Sequence, residues 1–139
     1  MTPLAEDKQK QILLLAPELI GKSLVLKLKT DQQNRKIVLS KNDLSQHPQL
    51  VIWYLDNSEI TTAIQLELIR LKERWFPSPI LFIIPPNINL IPSELLKLDC
   101  SGLLQDPNLE NLKEDIETLL DGGRVVRIQG DLSQNKSTP

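Results

Sequence analysis

Five short apolar runs, Ile12 to Ala16, Lys36 to Ser40, Leu50 to Leu55, Ile80 to Ile84 and Gly102 to Gln105, alternate along the chain with longer segments of helical spacing. This alternation narrows the fold more than any other feature. A strand that is apolar on both faces must be covered on both, and a parallel sheet flanked by helices does that. The expected class is α/β, a doubly wound parallel sheet of five strands.

The connecting segments support this reading. Ile60, Ile64, Leu68, Leu71 and Trp75 recur every three or four residues, which aligns them on one helical face, and Pro77 and Pro79 then end the helix. Near the end, Asn108 suits a helix cap. Leu109, Leu112, Ile116, Leu119 and Leu120 line one side of the helix that follows, and Gly122 and Gly123 stop it. The segment after the first run is ambiguous, because "SLVLKLKT" alternates as a strand does, leaving a hairpin through "DQQN" open. A helix from Pro17 to about Thr30 is preferred, since proline suits a first helical position and parallel strands need such a crossover.

With 139 residues and 40% hydrophobic content, the chain is expected to build one core. Residues 1–10 read as an N-terminal extension, 11–128 as the domain, and 129–139, which are polar, as a disordered tail or linker. Sixteen basic and 18 acidic residues give a formal charge of -2 without long blocks of one sign, so nucleic acid is not an expected partner. No stretch approaches the roughly 20 apolar residues of a membrane span, and the first residues lack a signal peptide's apolar run. The expected setting is cytoplasmic, with no membrane contact. Cys100 is alone, so neither an internal disulfide nor a cysteine metal cluster is expected, and its expected role is that of a small buried hydrophobe.

From about residue 11 to 128 the chain resembles a response-regulator receiver domain. The strongest part is "CSGLLQDPNLENLKEDIETLLDGGRVV", similar without a gap to the family's fifth strand, its Lys-containing turn and its last helix. The Gly122-Gly123-Arg124 ending is similar to receivers that precede helix-turn-helix domains. The chain also resembles cyanobacterial and plastid proteins in which a degenerate receiver precedes a large domain of uncharacterised role. The resemblance implies strand order 2-1-3-4-5 and a phosphoacceptor Asp at the end of strand three.

Matched position by position, the implied chemistry is missing. Counting from Pro48 puts Tyr54 at the phosphoacceptor position; counting from Pro79 puts Ile84 where the family has Thr or Ser; Gln105 falls where it has Lys. Ala16 and Pro17 occupy the positions of the metal-binding acidic pair. Phosphoryl transfer to Asp needs a carboxylate nucleophile, Mg²⁺ held by acidic oxygens, and a Lys and a hydroxyl on the phosphoryl oxygens. A Tyr hydroxyl, with a reference pKa of ~10, is protonated at neutral pH. Asp56 follows Tyr54 by two residues. A two-residue slip of the strand keeps every side chain on its own face, so Asp56 stays a candidate residual acidic site, against the simpler role of helix cap shared with Asn57.

The expectation is therefore a pseudo-receiver: not an enzyme, with no cofactor and no metal, acting on a protein partner or on an effector domain that follows it, and open to homodimerisation. If the family's habit holds, the binding surface comprises strand four, helix four and strand five. Ile88, Leu90, Ile91 and Leu95, after the two prolines that leave strand four, are its candidate contacts. The rival reading is a small nucleotide-binding protein, because "APELIGKS" matches a relaxed phosphate-loop pattern with Lys22, Ser23 and a downstream Asp56. Pro17, Leu19 and Ile20 make that loop poor in donors and bulky. His47 has no second metal ligand and is expected in a solvated loop; Trp53, Trp75 and Phe76 are expected to fill the core and a helix end.

Overall fold

A computed structural model describes residues 10–29, 35–55, 61–86 and 100–127. The elements are β1 (Lys10–Leu15), α1 (Glu18–Lys29), β2 (Arg35–Val38), a single 3₁₀ turn (Lys41–Asp43), β3 (Leu50–Tyr54), α2 (Thr62–Trp75), β4 (Ile80–Ile84), β5 (Gly102–Gln105), α3 (Leu109–Leu120) and β6 (Val125–Arg127). All strand pairs are parallel, in the order β2-β1-β3-β4-β5-β6. The doubly wound class and the order of the first five strands are as expected, and a sixth strand extends the sheet.

Each face of the sheet has its own core. On one face Leu13, Val51, Phe82, Ile84 and Leu103 pack with Ile64, Leu68 and Leu71 of α2. On the other, Ile12, Leu14, Ile52, Leu81 and Leu104 pack with Leu28 of α1 and Leu112, Ile116 and Leu119 of α3. Alternate residues of one strand thus enter different cores, which is why the runs are apolar without a polar face. Trp53 and Phe82 meet at 4.9 Å between ring centroids.

Local signals set the helix ends. The Thr61 hydroxyl accepts from the Ile64 amide at 3.3 Å, and Asn108 Oδ1 accepts from the Asn111 amide at 2.8 Å, so α2 and α3 are capped and the expected Asn108 cap is present. After α3, Gly122 takes a φ of +94°, a left-handed value that only glycine adopts without strain. At Gly102 the constraint is space: a Cβ there would lie 2.7 Å from Leu81 Cδ1 and 3.0 Å from Leu119 Cδ1, so α3 sits directly over the start of β5.

Several expectations are corrected. The segment after Pro17 is helix and not hairpin, as preferred, but it starts at Glu18. β1 begins two residues earlier than the expected Ile12, and β2 runs from Arg35 to Val38 where Lys36 to Ser40 was expected. Phe76 is not core: it is 77% exposed, just past the end of α2. Cys100 is only partly buried. Among the described residues, no helix is long and apolar enough to cross a membrane.

Candidate functional site

In an open parallel sheet the loops leaving the carboxyl ends of the strands form the usual ligand crevice. The pairing register places the matched positions along that edge. Leu15, immediately before Ala16 and Pro17, pairs with Trp53; Tyr54 pairs with Ile83; Ile84 pairs with Gln105. Five residues spread over the sequence therefore come to one end of one sheet.

Their side chains do not converge on a polar pocket. Ile84 is 1% exposed and belongs to the α2-side core, whereas Tyr54 and Ala16 pack against the core on the α1 and α3 side. The pleat explains the divergence, because Tyr54 is level with Ile83, and Ile84, one residue on, faces the other way. Gln105 is partly buried and its Nε2 donates to the Pro85 carbonyl at 3.5 Å. Pro17 is exposed, and its carbonyl accepts from the Gly21 amide at 2.8 Å, closing the first turn of α1.

The backbone at this edge is also knitted together. The Leu55 amide donates to Ile83 O and the Asp106 amide to Ile84 O, each at 2.8 Å. Asp106 itself takes a φ of 48° and is exposed. Nothing on Ala16, Pro17 or Ile84 can coordinate a cation or donate to a phosphoryl oxygen from its side chain, and the Gln105 amide is neutral. Among the described residues no group of three or more His, Cys, Asp or Glu side chains is placed to hold a metal ion. Asp56 and Asn57 lie outside the described residues, as do Ile88, Leu90, Ile91 and Leu95.

The phosphate-loop pattern folds as helix. Glu18 through Ser23 are the first half of α1, and Lys22 pairs with Glu18 one turn back at 2.9 Å, both side chains largely exposed. A phosphate loop needs several backbone N–H groups converging ahead of a helix, whereas the Gly21 amide is already bonded within this one.

Polar ties gather instead at the opposite, amino-terminal edge. Gln11 is 4% exposed, and its Oε1 accepts from the Ser45 and Gln46 amides at 3.0 and 3.2 Å, fixing the loop that enters β3. His47 lies on the exposed loop as expected, but Nε2 donates to the Trp75 carbonyl at 2.7 Å and the ring meets Trp75 edge-on. The Ser78 hydroxyl donates to Pro48 O, and Arg124 donates to Cys100 O at 3.0 Å. A single glutamine in a strand of leucines signals none of this, because its partners lie 34 and 35 residues away.

The sixth strand is fixed by a second polar device. Asp115 of α3 is 2% exposed and accepts two hydrogen bonds from Arg127, Nε to Oδ2 at 2.8 Å and Nη2 to Oδ1 at 3.1 Å. That bond and the carboxylate's charge hold the Arg127 pKa above its already high ordinary value. β6 pairs along β5, so β5 is an interior strand. The surface expected at strand four, helix four and strand five therefore has no free β5 edge.

No protein-family profile matches the sequence, and no curated protein does. Solved structures do. The chain is similar to a LuxR family DNA-binding response regulator from Silicibacter pomeroyi, with a TM-score of 0.63 and 15% identity, over 87% of this chain and 98% of that one. It is also similar to a response regulator CheY-like protein from Mesorhizobium loti, with a TM-score of 0.57 and 15% identity, over 79% of this chain and 98% of that one. Strand order, crossovers and these two neighbours agree: the chain has the fold of response-regulator receiver domains.

Proposed function

We propose that the chain is a regulatory protein-interaction module that uses the receiver scaffold without phosphotransfer and is not an enzyme. One observation carries the reading: at the carboxyl edge of the sheet Ile84 is sealed in the core, where a working receiver needs a hydroxyl reaching a phosphoryl group. The other matched positions, Ala16, Pro17, Tyr54 and Gln105, bring no carboxylate, acidic pair or lysine. Control then comes from a partner's binding or abundance, or from a small ligand in place of phosphate. The partner is a protein or an effector domain linked to the module in the cytoplasm.

Intact-mass spectrometry after incubation with acetyl phosphate and Mg²⁺ tests this. The expected result is an unchanged mass. A labile phosphate adduct that disappears in Asp56→Asn would overturn the reading and assign the acceptor to Asp56.

A further inference from the structure

β6 follows the last helix, has only three residues and is lightly packed. Val126 is 58% exposed, and Val125 is only partly buried. An edge strand that buries so little surface is held mainly by what it pairs with. The place it occupies is a different matter. Asp115 of α3 is 2% exposed and both its oxygens accept from Arg127, so lifting β6 away leaves a buried carboxylate without its cation and uncovers the backbone edge of β5. This acceptor specifies its occupant. It takes an extended segment, parallel to β5, with an apolar residue for the core margin and an arginine two residues further on, and Val125 and Arg127 are that pair. The link to α3 suits movement, since Gly122 and Gly123 follow the helix cap Asp121 and Gly122 sits at a φ of +94° with open space around it. Hinges absorb large backbone changes at a few loop residues of this kind.

We propose that β6 is an exchangeable arm, and that two copies of the chain dimerise by laying β6 of each on the β5 edge of the other. The occupant follows from the acceptor. A second copy's β6 remakes the contacts seen within one chain: the ladder to β5, Val125 at the core margin and the Arg127 clamp on Asp115. Exchange of an identical element is a low-cost route to a two-fold dimer. Because the strand's contacts are the same in both forms, the hinge and the concentration set the balance, and dilution favours the closed monomer. The proposal does not depend on whether any residue accepts phosphate.

Charge exchange across the clamp tests it. Asp115→Lys sets two cations against each other within one chain, and Arg127→Asp sets two carboxylates against each other. Only an exchange of arms between the two variants restores opposite charges in both clamps. Whole chains of the two variants, each first shown to be folded by circular dichroism, are mixed in equal amounts and measured by size-exclusion chromatography with light scattering. The expected result is a heterodimer about tenfold or more abundant than the dimer of either variant alone, because matched charges are available only across copies. A mixture of folded chains that stays monomeric would overturn the proposal.

Lysine at a buried position can prevent folding, so deletion of Gly123 from the otherwise unchanged chain gives a second reading. The shortened hinge no longer lets β6 reach its own β5 but still lets it reach a partner's. The expected species is a dimer in which the Val125 amide, bonded to Ser101 O at 3.2 Å in the closed chain, stays slow to exchange with deuterium. A monomer would overturn the proposal whether β6 is loose or still paired, and a loose β6 would leave the β5 edge to a strand from a different protein.

Discussion

The two ends of the same sheet are built from different materials. At the amino-terminal edge a buried glutamine, a histidine, a serine and an arginine all hold backbone groups of neighbouring loops. At the carboxyl edge the matched positions are Ala16, Pro17, Tyr54, Ile84 and Gln105, and the Ile84 side chain is core. Receiver chemistry would need the reverse, polar groups free at the carboxyl edge to meet a ligand. The difference teaches that the described polar side chains at the amino-terminal edge hold loops, whereas at the carboxyl edge Ile84 is packed into the core.

The largest effect should come from forcing the carboxyl edge to resemble a working one. Ile84→Thr places a hydroxyl where the surroundings are apolar and deletes buried methyl contacts, so thermal or urea unfolding should show a loss of about 2–3 kcal/mol. It should restore no phosphoryl acceptance. A neutral substitution would mean that the edge is wetter than the packing implies. On the opposite edge, Gln11→Ala removes the acceptor of two loop amides; the loop is partly open to water, so the expected cost is about 1–2 kcal/mol, again by urea unfolding.

Smaller effects separate backbone from side chain. Gly122→Ala, at a φ of +94° with open space around the position, should cost about 1 kcal/mol through strain alone. Asp106→Gly should do the opposite at the carboxyl edge, gaining at most about 0.5 kcal/mol by relaxing a φ of 48°. If Asp106→Gly were instead strongly destabilising, its carboxylate would have a role that the apolar edge does not suggest. For Asp115→Asn the readout is local: hydrogen exchange of the Val126 and Arg127 amides should quicken, because the amide supports only part of Arg127's two-bond clamp.

Much of this fold was legible because its signals are local. β3, β4, β5, α2 and α3 each carry an apolar run or a helical stripe long enough to identify, and Asn108 marks its own cap. β6 was not legible: two valines after Gly-Gly are too few, and their strand pairing depends on the edge that β5 offers and on Asp115 twelve residues earlier. Tyr54, Ile84 and Gln105 were legible as the residues at the matched positions, and the pairing register puts them on one edge. That Tyr54 and Ile84 face opposite cores follows from the pleat and was readable only once the pairing was fixed. The exposure of Leu19 and Leu26 was not legible, since a leucine's identity does not say which way it points from its helix.

The most direct measurement of the central claim is an amide NMR titration with Mg²⁺ followed by beryllium trifluoride, a phosphoryl mimic. The account predicts unperturbed amides at Leu15, Ala16, Tyr54, Leu55, Ile84 and Gln105. Saturable shifts gathered at those positions, and lost in Asp56→Asn, would contradict it and return phosphotransfer to the carboxyl edge.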